Sequence, residues 1–176
     1  MTEEVILVDQ EDKALGTMEK LEAHQTGVLH RAFSVFLFNS AGELLLQQRA
    51  LDKYHSPGLW SNTCCSHPRP GEDTLGAAKR RLQEEMGMEC ELRFISKFLY
   101  KTRFENGLFE HELDHIFVGT TDSLPKINPQ EANDFKFLSL AQIKADIKNN
   151  PDQYTVWLKL ALPQIEAIRA KNAHRL

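Results

Sequence analysis

Three groups of residues in this chain have types and spacings that could do chemistry. Glu110 and Glu112 stand two apart within a β-type run over residues 108–120, so both carboxylates leave the same face of a strand. His24, His30 and His67 add imidazoles from other segments, and any metal here would lean on such histidine and carboxylate ligands. Taken singly, each histidine also reads as an ordinary core or surface residue, and a carboxylate pair on a strand as its wet face. His55, His111, His115 and His174 are placed in that ordinary class, with Asp114, which shares a strand face with the pair.

The second group is Glu72 followed, after seven residues, by Arg80-Arg81-Leu82-Gln83-Glu84-Glu85-Met86-Gly87-Met88. On a helix, Leu75, Ala78, Leu82 and Met86 form an apolar stripe, Arg81 and Glu85 lie one turn apart on its flank, and Glu84 falls nearly opposite. A carboxylate beside a guanidinium suits a magnesium diphosphate, because hard oxygens hold Mg²⁺ and the guanidinium fork holds phosphate oxygens. The plainer alternative is a solvated helix face laced with i,i+4 pairs. The third group is Cys65, two residues before His67. Its thiol is either an acid, base or nucleophile, or a buried and inert side chain; Cys64 and Cys90 are given the inert reading. Three cysteines, two of them adjacent, make neither a disulfide framework nor a C-x-x-C zinc site.

The elements that must position these groups follow from periodicity and turn signals. Residues 5–8 read as a buried strand, 9–13 as a polar turn and 18–24 as a short helix. Residues 32–38 and 43–48 flank Asn39-Ser40-Ala41-Gly42, a hairpin signal between two central strands. Residues 50–71 form a long loop holding Trp60, Cys65 and His67, and loops of that length usually carry function. Asp73 or Thr74 caps a helix that runs to Met86 and stops at Gly87. Residues 92–104 and 108–120 form a second hairpin through Asn106-Gly107. A loop with Pro125 and Pro129 leads to helices over 140–148 and 156–169. Strands alternating with few helices predict an α/β sandwich with a mixed sheet.

Composition narrows the class of function. With 176 residues, 41% of them hydrophobic and 26% charged, the chain fits one globular domain. The net charge of −4 and the scattered lysines and arginines exclude a broad nucleic-acid surface but leave room for a small phosphate site. The acidic start, Met1-Thr2-Glu3-Glu4, lacks the basic opening of a signal peptide, and no apolar run nears the roughly 20 residues that span a bilayer. A cytoplasmic protein without membrane or nucleic-acid partners is expected.

The segment from Ser66 to Met88 resembles the Nudix box, G-x5-E-x7-R-E-U-x-E-E-x-G-U with U apolar. Glu72, Arg80, Leu82, Glu84, Glu85, Gly87 and Met88 match it; Ser66 replaces the first glycine and Arg81 replaces a glutamate. Nudix hydrolases gather metal ions on the box carboxylates, so an arginine there favours binding a diphosphate without cleaving it. Nearly the whole chain is similar to the type I isopentenyl diphosphate isomerase family. The similarity runs through Glu19-Lys20 and His24, His30 to Ser34, Gln48-Arg49-Ala50 with Lys53, Pro57 to Trp60, Cys65 to Pro68, the altered box, Tyr100, Glu110-His111-Glu112 and Trp157.

The resemblance implies a Nudix-type α/β/α sandwich with a mixed β-sheet, in one domain over residues 1–176 with the box at about 66–88. It implies isomerisation of isopentenyl to dimethylallyl diphosphate by protonation and deprotonation. Cys65 and Glu112 would be acid and base on opposite faces of the substrate, Tyr100 would assist Glu112, and Trp157 would face a carbocation. His24, His30, His67, Glu110 and Glu112 would hold one metal, Mn²⁺, Mg²⁺ or Zn²⁺. Glu85 would hold Mg²⁺ against the diphosphate, while Lys20, Arg49, Lys53 and Arg81 clamp its oxygens. No flavin is implied, the partner is a small prenyl diphosphate, and the simplest assembly is a monomer. The competing readings are a Nudix diphosphohydrolase and a non-catalytic prenyl diphosphate or metal binding module.

Overall fold

A computed structural model describes residues 2–172, so His174 lies outside the described residues. Strand β3 (His30–Phe38) is the organising element. It pairs in parallel with β8 (Phe109–Thr120) along its whole length, from His30 beside Glu112 to Phe38 beside Thr120. Its other edge takes β6 (Cys64–Ser66) antiparallel, with Ser34 opposite Cys65, and touches β1 (Glu4–Val8) at Leu7. Beyond β8 lies β7 (Arg93–Arg103), antiparallel, which sets Tyr100 opposite Glu112. The sheet is therefore mixed, and its register lines up Tyr100, Glu112 and His30 on three adjacent strands.

Side chains alternate across β3 and fill two cores. Phe33, Val35 and Leu37 pack with Ala77, Ala78, Leu82 and Met86 of helix α2 (Thr74–Met86). Phe36 and Phe38 pack with Ile143 of α3 (Leu140–Asn149) and with Leu158, Ala161, Leu162 and Ile165 of α4 (Val156–Asn172). Helices thus cover both faces of the sheet in an α/β/α sandwich. Each fully buried leucine or phenylalanine contributes roughly 1.5–3 kcal/mol, so the layers that carry the site are firmly held. The ends of α2 follow the sequence expectation. The Asp73 carboxylate accepts from the Gly76 amide, and Gly87 closes the helix at φ 62°. A Cβ at Gly87 would meet the Lys126 carbonyl oxygen at 2.5 Å, so close approach as well as backbone conformation requires glycine there.

Four expectations need correction. Residues 14–19 form strand β2 (Ala14–Glu19), hairpinned to β1, so helix α1 (Lys20–Thr26) starts two residues later than its predicted start at Met18. The Glu19 carboxylate accepts from the Leu21 and Glu22 amides and fixes that start. The hairpin at 39–42 is splayed: β3 and β4 (Glu43–Arg49) pair only at Phe38 and Leu44. β4 instead pairs with β5 (Trp60–Ser61) and β9 (Ala132–Ser139). The loop over 50–71 therefore contains two short strands, β5 and β6, and the stretch taken as a loop with Pro125 and Pro129 ends in strand β9.

Candidate active site

A cavity of about 290 Å³ opens where β3, β6 and β8 meet the loop before β5. Strand register and helix position explain how distant residues reach it. His24 sits in the last turn of α1, and Gly27 reverses the chain at φ 73°, bringing His30 in at the start of β3. Glu110 and Glu112 share a face of β8, as their spacing predicts, and both are buried. Cys65 enters from β6 and Glu112 from β8, on the two opposite edges of β3.

The buried histidines are oriented by the backbone. His24 Nδ1–H donates to the Lys20 carbonyl at 2.7 Å and His30 Nδ1–H to the Val28 carbonyl at 3.0 Å. A carbonyl only accepts, so each ring presents Nε2 as a lone pair. Both Nε2 atoms are buried without a hydrogen-bond partner among the described residues, as is Glu110 Oε2. Burying polar atoms unpaired is costly, and imidazoles held through their other nitrogen are the usual form of metal ligands. Donor atoms of His24, His30, His67 and Glu112 all lie within 4.8 Å of one another, and those of His24, His55 and Glu110 form a second such group. The residues thus fit a divalent ion on orientation, donor chemistry and unsatisfied atoms.

Charge in the site is unevenly shared. Burial alone would raise the Glu112 carboxyl, but His30 and His67, with His67 Nε2 at 3.0 Å, hold it well below the usual range. Burial and the neighbouring Glu112 push Glu110 well above it. Tyr100 Oη lies 2.5 Å from Glu110 and 2.9 Å from Glu112. One phenol carries one proton, so two such short contacts call for a second, and the raised Glu110 carboxyl is the group suited to hold it. Burial likewise pushes the Cys65 thiol far up, so it is protonated, and it donates to Asn62 Oδ1 at 2.9 Å. The Asn62 amide nitrogen donates to the Val35 and Cys64 carbonyls, which fixes its oxygen toward the thiol. Trp157 Nε1 donates to Ser61 Oγ at 2.8 Å, and the Arg49 guanidinium lies over the indole at 5.2 Å from its centroid.

At the polar end of the cavity stand Lys20, Arg49, Lys53, Arg81 and Glu85. Arg81 and Glu85 do point together, with Nη2 3.1 Å from the Glu85 carboxylate, while Arg81 also holds Glu84 at 2.9 Å and Glu131 at 3.0 Å. Lys53 reaches Glu131 at 2.6 Å and Lys20 reaches Glu3 at 3.3 Å. Burial raises the Glu85 carboxyl against the opposing pull of Arg81, and Cys64 donates to it at 2.6 Å. Arg80 pairs with Glu72 and Glu84, bracing the helix from outside the cavity.

All the predicted site residues therefore gather in one place, His24 and His30 behind the cavity wall and the others lining it. His55, given the ordinary reading, is buried beside Glu110 and lines the cavity. Asp114 is not on a wet face; it is buried and accepts from Ser34 Oγ at 2.7 Å. Cys64 is buried as expected, yet it touches Glu85. His111 and His115 stay outside the cavity, bound to the Gly27 carbonyl and to Asp12. Sequence reasoning missed His55, Asn62 and Glu131. The available signals were their places in the two proline-containing loops, beside Lys53, Cys65 and Pro129.

Residues 28–158 match the NUDIX domain family. The fold is similar to a Deinococcus radiodurans protein of known crystal structure, with a TM-score of 0.77 at 20% identity over 92% of this chain and 98% of that one. It is also similar to the MutT protein from Methanosarcina mazei, with a TM-score of 0.66 at 15% identity over 80% and 95%. At the level of sequence, the chain is 50% identical over 98% of its length to isopentenyl-diphosphate Delta-isomerase 2 of Aromatoleum aromaticum, covering 91% of that protein. It is 53% identical over 92% of its length to the isopentenyl-diphosphate Delta-isomerase of Pectobacterium atrosepticum, covering 90% of that protein. The chain belongs to the NUDIX family and, within it, to the isopentenyl-diphosphate Delta-isomerases.

Proposed function

We propose that this single-domain chain isomerises isopentenyl diphosphate to dimethylallyl diphosphate, with Cys65 and Glu112 as the acid–base pair. The carrying observation is a thiol and a carboxylate that reach one cavity from opposite edges of β3. The substrate is an unactivated alkene, so one group adds a proton to its terminal methylene carbon, leaving a tertiary carbocation. A second group removes a proton from the carbon on the other side, and the double bond has moved with no net change in atoms. Cys65, kept neutral by burial, is suited to give the first proton, and Glu112, kept ionised by His30 and His67, to take the second. Tyr100 holds Glu112 in place and relays protons to it. Trp157, pinned through Ser61, offers a π face to the cation.

His24, His30, His67, Glu110 and Glu112 would hold one divalent ion, Mn²⁺, Mg²⁺ or Zn²⁺, and Glu85 a Mg²⁺ shared with the diphosphate. When bound, these ions neutralise the clustered carboxylates and the diphosphate charge. Lys20, Arg49, Lys53 and Arg81 bind and orient the diphosphate, which fixes the five-carbon tail between acid and base. No flavin is required, and no further partner beyond the small prenyl diphosphate is invoked; a cytoplasmic monomer suffices. No helix among the described residues is long and apolar enough to cross a membrane.

Incubation with isopentenyl diphosphate and Mg²⁺ tests the reading. Dimethylallyl diphosphate without release of phosphate is expected. Phosphate release would favour a diphosphohydrolase, and an unchanged substrate a binding module.

A further inference from the structure

We propose that His55 is an additional ligand of the divalent ion, reaching it from the Glu110 side of the centre. This rests on the reading that His24, His30, His67, Glu110 and Glu112 form that centre. His55 Nε2 lies 3.7 Å from Glu110 Oε2, beyond hydrogen-bond range, and Glu110 Oε2 has no hydrogen-bond partner among the described residues. His24 Nε2 is likewise unpartnered, and the donor atoms of His24, His55 and Glu110 lie within 4.8 Å of one another. Two ligand atoms each about 2.1 Å from one ion stand about 3.0 Å apart when adjacent and about 4.2 Å apart when opposite. The 3.7 Å gap between these two buried, facing donors lies between those limits, so one cation can bridge them after a small side-chain adjustment. The 3.4 Å between His30 Nε2 and Glu112 Oε1 falls in the same range.

The ring is already held in place. It stacks on Phe104 at 4.8 Å with an interplanar angle of 5° and meets the edge of Trp157 at 5.8 Å and 88°. Only its second-nitrogen contact is missing, since Nδ1 has no partner where His24 and His30 each grip a carbonyl. His55 would tie the metal centre to the loop that carries Lys53.

The test uses protein loaded with Co²⁺ and labelled with ¹³C in the histidine rings. Imidazoles bonded to the paramagnetic ion give strongly contact-shifted NMR signals. Four shifted rings are expected in the wild-type protein and three in His55→Phe, which keeps an aromatic ring for Phe104 to stack on and removes the nitrogens. Competition with a chelator should show Co²⁺ affinity lowered roughly tenfold, the scale of losing one supporting contact. Three shifted rings in the wild type, unchanged in His55→Phe, would overturn the assignment while leaving the metal centre intact. No shifted ring at all would overturn the metal centre as well. The wild-type count decides the matter even if the variant fails to fold.

Discussion

Replacing Arg81 by glutamine separates the two tasks this residue performs, bracing α2 and binding diphosphate. The guanidinium holds three carboxylates. Its bond to Glu84 is open to water, with that side chain 37% exposed, so losing it costs up to about 1 kcal/mol. Glu85 is only 6% exposed, and stripping the partner from a buried ion costs about 3–5 kcal/mol. Glu85 relieves part of this by taking up a proton, toward which burial already inclines it, so a net loss near ~3 kcal/mol is expected. At roughly 2–4 °C per kcal/mol for a chain of this size, the thermal midpoint should fall by about 6–12 °C. Loss of a charge-assisted phosphate contact, about 1.5–3 kcal/mol, should weaken magnesium pyrophosphate binding roughly 10- to 100-fold. Thermal melts and competition binding measure the two effects separately. Unchanged affinity with a lowered midpoint would make Arg81 a brace alone, and an unchanged midpoint would refute the burial reasoning. Arg81→Glu, which restores the hydrolase residue, is the poorer probe, because it adds a carboxylate to Glu84, Glu85 and Glu131.

Cys65→Ala and Glu112→Gln should each lower turnover by about 10²–10⁴-fold, with Cys90→Ala as a control near wild type; near-normal turnover in Cys65→Ala would remove it from the acid–base pair. Cys64→Ala is not a neutral control, since its thiol donates to Glu85. His67→Ala should lose metal from the purified protein, whereas Glu85→Gln should keep it and weaken magnesium-dependent substrate binding; equal metal loss would contradict two separate sites. Glu72 is held below the ordinary glutamate range by hydrogen bonds from Arg80, so its contribution is present above roughly pH 4.5 and lost as pH falls through its lowered folded value. Glu72→Gln should therefore be less stable than wild type at pH 7, by up to about 1 kcal/mol, with the gap narrowing as the pH falls into the acid range; a gap that does not narrow in acid would refute this.

What the sequence could and could not reveal follows from the range of each interaction. Helix α2 was legible because its cap, apolar stripe and terminal glycine are local signals. The pair Glu110 and Glu112 was legible because strand periodicity is two. Strand β9 was hidden because Asn133 and Asp134 carry turn chemistry, and Phe135 and Phe137 find their place only against the core beneath α2. β2 was hidden because the strand is mostly exposed and has Gly16 in its middle, so it lacks an alternating apolar pattern, and its last residues, Met18 and Glu19, run directly into the helix. That all the predicted ligands meet depends on the parallel register of β3 on β8, a contact across about eighty residues that no local pattern encodes. The place of His55 in the cavity wall is illegible for the same reason, since its burial comes from Phe104, Trp157 and Glu110, all distant in the chain.

The central claim is that a proton enters at one carbon and another leaves elsewhere, with the diphosphate untouched. NMR of the protein incubated with isopentenyl diphosphate and Mg²⁺ in deuterated water tests it directly. Dimethylallyl diphosphate carrying deuterium in its methyl group is predicted, and product formed without deuterium, or cleavage to phosphate, would contradict it.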